Sequence, residues 1–384
     1  MSIAEELEYQ VIESAESLQG CIAVIEQTSV VALDTEADSL HHYYPKVCLI
    51  QISANGLNFI IDPLAGFGLT PLLDALRTKR LLLHGADYDL RMLRASYDFA
   101  PEGEVFDTML AAQLLGYEPF GLGALVERHF AVVLPKDGQK WDWSRRPLEP
   151  RQFAYAANDT RYLEEMVGMI EAELTKLGRL EWHRENCQRM VHAALTATPK
   201  EKSADEVWRI KGSNRLPKDA QVFLRALWEW REGQAQSADL PPFKVLNNQF
   251  LLDICTWLVE NPERTLEEYD KLPRNVRGKR LSDLQQILTI ALNAPRPVRQ
   301  ERSEPRRKII PWTPEDEQTL AELQKARDVI ATELNLTPSV LAPRSVMQDV
   351  VRERLRSKLE LAEKTRLTHW QIDLLEPVWT PLLG

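Results

Sequence analysis

The chain has 384 residues, 44% hydrophobic and 27% charged, a globular composition long enough for two or three domains with cores of their own. Its formal net charge of -10 excludes a protein that coats nucleic acid through a global basic field, while leaving room for a local nucleic-acid site. No stretch reaches the roughly 20 apolar residues of a membrane span, the acidic start MSIAEELEYQ lacks signal-peptide features, and Cys21, Cys48, Cys187 and Cys255 are too scattered for a disulfide framework or zinc site, so the expectation is a cytoplasmic protein with buried, reduced thiols.

In chain order, YQVI and VVALDTE read as strands flanking a helix from Ser14 to about Gln27. KVCLIQIS and LNFIID follow as strands joined by the turn ANG, and short connections make this group antiparallel. A helix over about Leu69 to Thr78, the strand RLLLH and a helix opening near Gly85 then alternate, so a mixed sheet with crossover helices is expected, its later strands parallel. From about Glu149 the strand signals vanish, and one long helix is expected over PRQFAYAANDTRYLEEMVGMIEAELTKL. Two all-α modules follow, separated by the Pro- and Arg-rich stretch 295 to 311. They share a rhythm, visible in LPPFKVLNNQFLLDI and LAPRSVMQDVV, that suggests a duplicated unit.

The chemistry begins where VVALDTE stops on two carboxylates. In a strand, Ala32, Asp34 and Glu36 share one face, so the two acids sit side by side and repel unless a cation lies between them; a turn-forming or capping aspartate is the alternative. Asp89, in HGADYDLRML, falls in the first turns of a helix, and Tyr155 and Asp159, four apart in FAYAANDTRYL, share a helix face. Each alone has an ordinary local explanation. Together they suit two divalent ions about 3.5 to 4 Å apart, and oxygen-only ligation favours Mg²⁺ or Mn²⁺ over zinc. Phosphodiester hydrolysis is the reaction that uses such a pair.

The motifs LDTEAD, HGADYDL, FDTMLAAQLLGY and KWDWSRRPLEPRQFAYAANDTRYL, in this order and spacing, resemble the exonuclease domain of the ribonuclease D family, in the DEDD superfamily of 3′→5′ exonucleases, with a tyrosine in the third motif. The helical modules resemble HRDC domains (helicase and RNase D C-terminal). The resemblance implies an RNase H-like α/β exonuclease domain over 1–200, an HRDC domain over 201–294, a linker over 295–311 and a second HRDC-like domain over 312–384. It implies Asp34, Glu36, Asp89 and Asp159 as ligands of two metal ions. Asp34 would bridge both, Glu36 and Asp159 would complete the nucleophile-side site, and Asp89 would serve the second ion. Tyr155 would hydrogen-bond the attacking water as a positioner, since an unperturbed phenol near pKa 10 is a poor base at neutral pH. Asp107, in FDTML, would be a structural helix start.

Further candidates for substrate contact are Tyr44 and Lys46 in YYPK, Gln51 within an apolar strand, His84, and Arg145 and Arg146 in WDWSRRPL. His41 and His42 lie in the loop after Glu36. GxSxG, GxxxxGK and GxGxxG patterns are absent. The expectation is a metal-dependent exoribonuclease acting on the 3′ ends of tRNA precursors and other structured RNA, with neither a membrane nor an obligate protein partner. A DNA exonuclease and a non-catalytic RNA-binding protein are the rivals.

Overall fold

The protein was analysed as a computed structural model that describes residues 8–135, 137–196, 206–274, 276–293 and 312–383. Strands β1 (Gln10–Ile12), β2 (Val30–Ala37), β3 (Val47–Ala54), β4 (Leu57–Ile61), β5 (Arg80–Leu83) and β6 (Val105–Asp107) form one sheet in the order β1-β4-β3-β2-β5-β6. The β2, β3 and β4 pairings are antiparallel, as their short connections require, and Asn55 and Gly56 turn the β3–β4 hairpin with φ of 52° and 75°. β1 joins β4, β5 joins β2 and β6 joins β5 in parallel. β6, only three residues long, was not expected from the sequence. Strand β2 thus has an antiparallel neighbour on one side and a parallel one on the other, and β5 pairs only with Val30 to Ala32, so the acidic end of β2 runs past it.

Helices α1 (Ala15–Glu26), α2 (Thr70–Arg77), α3 (Asp87–Tyr97), α4 (Thr108–Leu114), α5 (Leu122–Phe130), α6 (Pro150–Asn158), α7 (Leu163–Lys176) and α8 (Leu180–Thr196) surround the sheet. Strand alternation divides the core. Val31, Leu33, Ile50, Ile52, Leu81 and Leu83 pack with Leu72, Leu76, Leu90 and Leu93 on one face, and Ala32 and Leu82 pack with Leu114, Met166 and Ile170 on the other. All four cysteines are buried free thiols, as expected.

The single long helix expected from Pro150 to Leu177 is instead α6 and α7. Asn158, Asp159 and Thr160 carry short polar side chains that compete for the backbone, and the Asp159 amide tightens onto the Ala156 carbonyl at 3.2 Å. Ser53 Oγ on β3 donates to Thr160 Oγ1 at 2.7 Å and fixes the break against the sheet. Asp159 keeps right-handed helical dihedrals (φ -74°, ψ -17°), so its helical spacing from Tyr155 survives.

The described residues divide into two compact units. One comprises the described residues of 38–46 and 198–305, with helices α9 (Lys218–Ser237), α10 (Pro242–Val245), α11 (Asn248–Glu260) and α12 (Lys279–Asn293) around Leu224, Leu227, Leu251, Ile254 and Leu284. Within this unit the loop 38–46 is tied to α9 and its C-terminal end: His42 Nδ1 lies 2.7 Å from Asp239 Oδ2, and the Tyr43 hydroxyl donates to Glu232 Oε2 at 3.1 Å.

The other unit comprises the described residues of 1–37, 47–197 and 306–384, so the last helices pack with the sheet-bearing part. These are α13 (Pro314–Glu333), α14 (Pro338–Leu341), α15 (Arg344–Glu353), α16 (Lys358–Lys364) and α17 (His369–Trp379). Ala331, Leu336, Leu341 and Trp370 join the cluster of Leu114, Leu115 and Met166. Trp370 stacks on Trp182 of α8 with ring centroids 4.6 Å apart, and Arg179 donates to the Leu114 and Leu334 carbonyls, each at 2.6 Å. Both helical modules open with a 20-residue helix followed by a four-residue helix beginning at proline, which is the shared rhythm seen in the sequence. The basic stretch 296–308 lies outside the described residues.

Candidate active site

Asp34 and Glu36 stand on the free end of β2, with a β-bulge between Glu36 and Ala37 bending the strand just beyond them. Because β5 has already ended, the Thr35 amide has no strand partner on that side. It donates to Asp89 Oδ1 at 3.1 Å, and the Thr35 hydroxyl donates to the same oxygen at 2.6 Å. Asp89, in the first turn of α3, is thereby locked beside β2. Asp159, at the C-terminal cap of α6, completes the group: carboxylate oxygens of Asp34, Glu36 and Asp159 lie within 4.8 Å of one another. The site occupies the place where the sheet changes from antiparallel to parallel order, beyond the carboxyl end of β2, the usual position of ligand sites in open α/β sheets.

Burial and mutual repulsion set the electrostatics of the four acids. Burial, and then the charges of Asp89, Asp159 and Glu36, hold Asp34 well above the ordinary carboxylate range. Burial and the Asp159 and Asp89 charges do the same to Glu36. Burial brings Asp89 to about 6 despite its bonds from Thr35, and burial with the Asp89 charge brings Asp159 to about 7. Each shift states that the ionised form is disfavoured here, and a divalent cation reverses that preference. The donor set fits such an ion: it is oxygen only, the ligand type of Mg²⁺ and Mn²⁺.

Tyr155 projects from α6 toward the same group. Burial, then the charges of Asp159, Glu36 and Asp34, push its phenol far above its ordinary value, which favours the protonated form. Its ring is enclosed by Trp141 at 5.6 Å and Trp143 at 6.0 Å between centroids. Gly138 closes a further side, since a Cβ built there would fall 2.5 Å from Tyr155 Cε2. Trp141, Trp143 and Gly138 were not among the expected site residues. Gly138 has no left-handed backbone, so the close approach of the Tyr155 ring is what a side chain there would disturb, a contact the sequence does not show.

Other candidates fall differently. Arg146 does not offer itself to a phosphate. Its guanidinium grips both Asp62 carboxylate oxygens at 2.5 and 2.7 Å and donates to the carbonyls of Cys48, Trp143 and Arg145, so the fork is occupied in pinning the WDWSRRPL loop to the sheet. Arg145 is exposed and paired with Asp142 at 3.0 Å. His84 Nδ1 lies 2.9 Å from Thr108 Oγ1, whose own hydrogen goes to the Leu83 carbonyl, and burial lowers the pKa of the imidazole. Tyr44 and Lys46 belong to the other unit, where Tyr44 is exposed with its ring edge-on to Tyr43. Gln51 is fully buried, so its side chain does not reach substrate from solvent. Asp107 is a structural helix start, as expected: it caps α4 by accepting from Met109 and Leu110, and also accepts from Gly85 and Ala86.

Comparison with known proteins agrees with the geometry. The 3′-5′ exonuclease family model matches residues 9–175, which hold all four carboxylates and Tyr155, and the HRDC domain model matches 220–288. Ribonuclease D of Sphingobium indicum is 29% identical over 377 residues, covering 96% of this chain and 94% of that protein. Ribonuclease D of Zymomonas mobilis is 33% identical over 64% of this chain and 63% of its own length. Among solved structures, Escherichia coli RNase D superposes with a TM-score of 0.72 at 23% identity over 98% of this chain and 99% of that one. A protein from Bifidobacterium adolescentis superposes with 0.80 at 23% identity over 99% and 98%. These two establish the fold: an RNase H-like domain with HRDC-like helical modules. The chain belongs to the ribonuclease D family of 3′→5′ exoribonucleases.

Proposed function

We propose that the chain trims the 3′ ends of structured RNA, tRNA precursors among them, by two-metal phosphodiester hydrolysis with Mg²⁺ or Mn²⁺. The observation that carries this reading is the convergence of the Asp34, Glu36 and Asp159 oxygens within 4.8 Å, with Asp89 close enough to raise the pKa of Asp34. In this reading Asp34, Glu36 and Asp159 would hold one ion and Asp89, with Asp34, would serve the other. Bound there, the ions supply Lewis acidity and positive charge to a scissile phosphodiester and to the attacking water.

The chain's own residues do the positioning. Thr35 holds the Asp89 carboxylate through one of its oxygens, Oδ1. Tyr155, whose phenol burial and the neighbouring acids hold in the protonated form, would hydrogen-bond the attacking water and position it. The aromatic box of Trp141 and Trp143 limits the ring's movement and shields it from bulk water. The substrate class follows the family, and the Escherichia coli relative of the same fold is described as an exoribonuclease involved in structured RNA processing.

The deciding experiment is digestion of matched 3′-labelled RNA and DNA oligomers with Mg²⁺, with Mn²⁺ and with EDTA, beside the Asp34→Asn variant. Stepwise 3′ shortening of RNA is expected, abolished by EDTA and nearly abolished in the variant. Persistent hydrolysis in EDTA would refute the metal mechanism, and equal or faster cutting of DNA would refute the RNA assignment.

A further inference from the structure

Strand β3 carries an anomaly beside the carboxylates. All eight of its residues are buried, and seven are small or apolar; the exception in bulk and polarity is Gln51, which is 0% exposed. Neither Oε1 nor Nε2 of Gln51 has a hydrogen-bond partner in the structure, and neither atom touches solvent. A primary amide brings two donors and an acceptor into the interior, and burying them unmatched is costly enough that an apolar residue of similar length would pack the strand better. Sheet packing alone therefore gives no reason for glutamine here.

Register shows what the amide faces. Gln51 is the direct cross-strand partner of Asp34, so the two side chains rise side by side from the same face, with Cβ atoms roughly 4.5 to 5.5 Å apart. Two residues along on that face, Ser53 bonds Thr160, the neighbour of Asp159, which puts the α6–α7 break over this row of β3. An unmatched, solvent-free amide thus belongs to the residue paired with Asp34 on the same face, in the row that carries the turn supplying Asp159.

We propose that Gln51 is a positioning residue of the carboxylate site, its amide N–H donating to the Asp34 carboxylate and holding it in ligating orientation when divalent ions are bound. The role rests on the metal reading given above and deepens it. Carboxylate ligands need an outer hydrogen bond to fix their orientation, and losing one typically lowers metal affinity about 10- to 100-fold. Asp89 has that support from Thr35, and Gln51 supplies it to Asp34.

The test replaces Gln51 by methionine, which keeps the length and removes the polar atoms, and separately by leucine. For the intact chain, Mn²⁺ binding is measured by titration calorimetry, the melting temperature in EDTA, and kcat and KM on a 3′-labelled RNA. The expected result is a metal-free melting temperature at or above that of wild type, Mn²⁺ affinity lower by about 10- to 100-fold, and a fall in kcat at fixed Mn²⁺ with little change in KM for RNA. Unchanged Mn²⁺ affinity would overturn the role. So would a marked drop in metal-free melting temperature in both variants, because it would mean that the amide is already satisfied inside the resting fold, for example by a buried water. Asp34→Asn serves as the reference: if wild type and Asp34→Asn bind Mn²⁺ alike, the metal reading itself fails, and this role with it, whereas wild-type binding retained in the Gln51 variants defeats the role alone.

Discussion

A phenol that must keep its proton and point one way needs surroundings that refuse the phenolate and walls that stop the ring from turning. Tyr155 has both, in the acids and in the Trp141, Trp143 and Gly138 box. Tyr155→Phe is expected to lower kcat strongly while leaving Mn²⁺ affinity nearly unchanged; a large loss of binding by calorimetry would count against a purely positioning role. Gly138→Ala pushes a methyl against the ring and should reproduce much of that loss, about 100-fold in kcat if the ring is displaced by about 1 Å, with the metal site intact. The acids give a separate expectation. Asp89 and Asp159 titrate near 3.8 when unfolded and near 6 and 7 in the metal-free fold, so between those limits the unfolded chain releases protons that the fold retains. Their contribution to stability is full below about pH 4, falls as pH rises and levels off above about pH 7. Asp159→Asn should flatten that decline in EDTA melts, and Mn²⁺ should raise the melting temperature more at about pH 8 than at about pH 5. An unchanged slope in the variant would remove Asp159 as a source of it. The acids and Tyr155 were legible in sequence because strand and helix spacing alone puts them on shared faces. Thr35, Gly138 and the tryptophan box were not, since their roles depend on contacts between segments far apart in the chain.

Between elements, the site depends on where strands and helices stop. β5 pairs with β2 only as far as Ala32, short of the Asp34–Glu36 segment, and that shortfall frees the Thr35 amide for Asp89. The start of α3 is held in turn by Asp107, whose carboxylate accepts from Gly85 and Ala86 while capping α4 through Met109 and Leu110. Asp107→Ala therefore removes more than an ordinary cap, which is worth about 0.5 to 2 kcal/mol, and leaves two further amides without a partner. A destabilisation above about 2 kcal/mol in urea melts is expected, together with weaker activity as Asp89 loses its footing. A loss confined to stability would show that α3 holds its place without Asp107. Order and pairing of the main strands were readable from alternation and short connections. β6 was not, because three residues are too few to establish a period. The α6–α7 break escaped for a related reason: one apolar stripe runs across both helices, and the bond from Ser53 that helps fix the interruption comes from β3.

At the scale of the molecule, the two helical modules answer to different forces, and removing both at once would confound them. The C-terminal module shares a core with the sheet-bearing part through Ala331, Leu336, Leu341 and Trp370. Deleting 312–384 uncovers Trp182 and its apolar neighbours at about 1.5 to 3 kcal/mol for each large side chain, so lower melting temperature and depressed activity on every substrate are expected. This allegiance was not legible in the sequence, because an amphipathic helix looks the same whichever surface covers it. The module of α9 to α12 has its own core, and its charges test RNA holding without touching the fold. Arg274, Arg277 and Lys279 are exposed at the start of α12 and just before it, where substitution ordinarily changes stability by less than about 0.5 kcal/mol. Basic side chains bind phosphate through counterion release, so replacing all three by alanine should raise KM for a structured RNA and shallow the salt dependence of binding by about one unit of slope for each phosphate interaction removed. A short single-stranded oligomer, too small to engage a second module, should be cleaved as before. If both substrates suffer equally while the melting temperature holds, the charges act on the reaction and not on the body of the RNA; if neither changes, RNA is held elsewhere on the molecule.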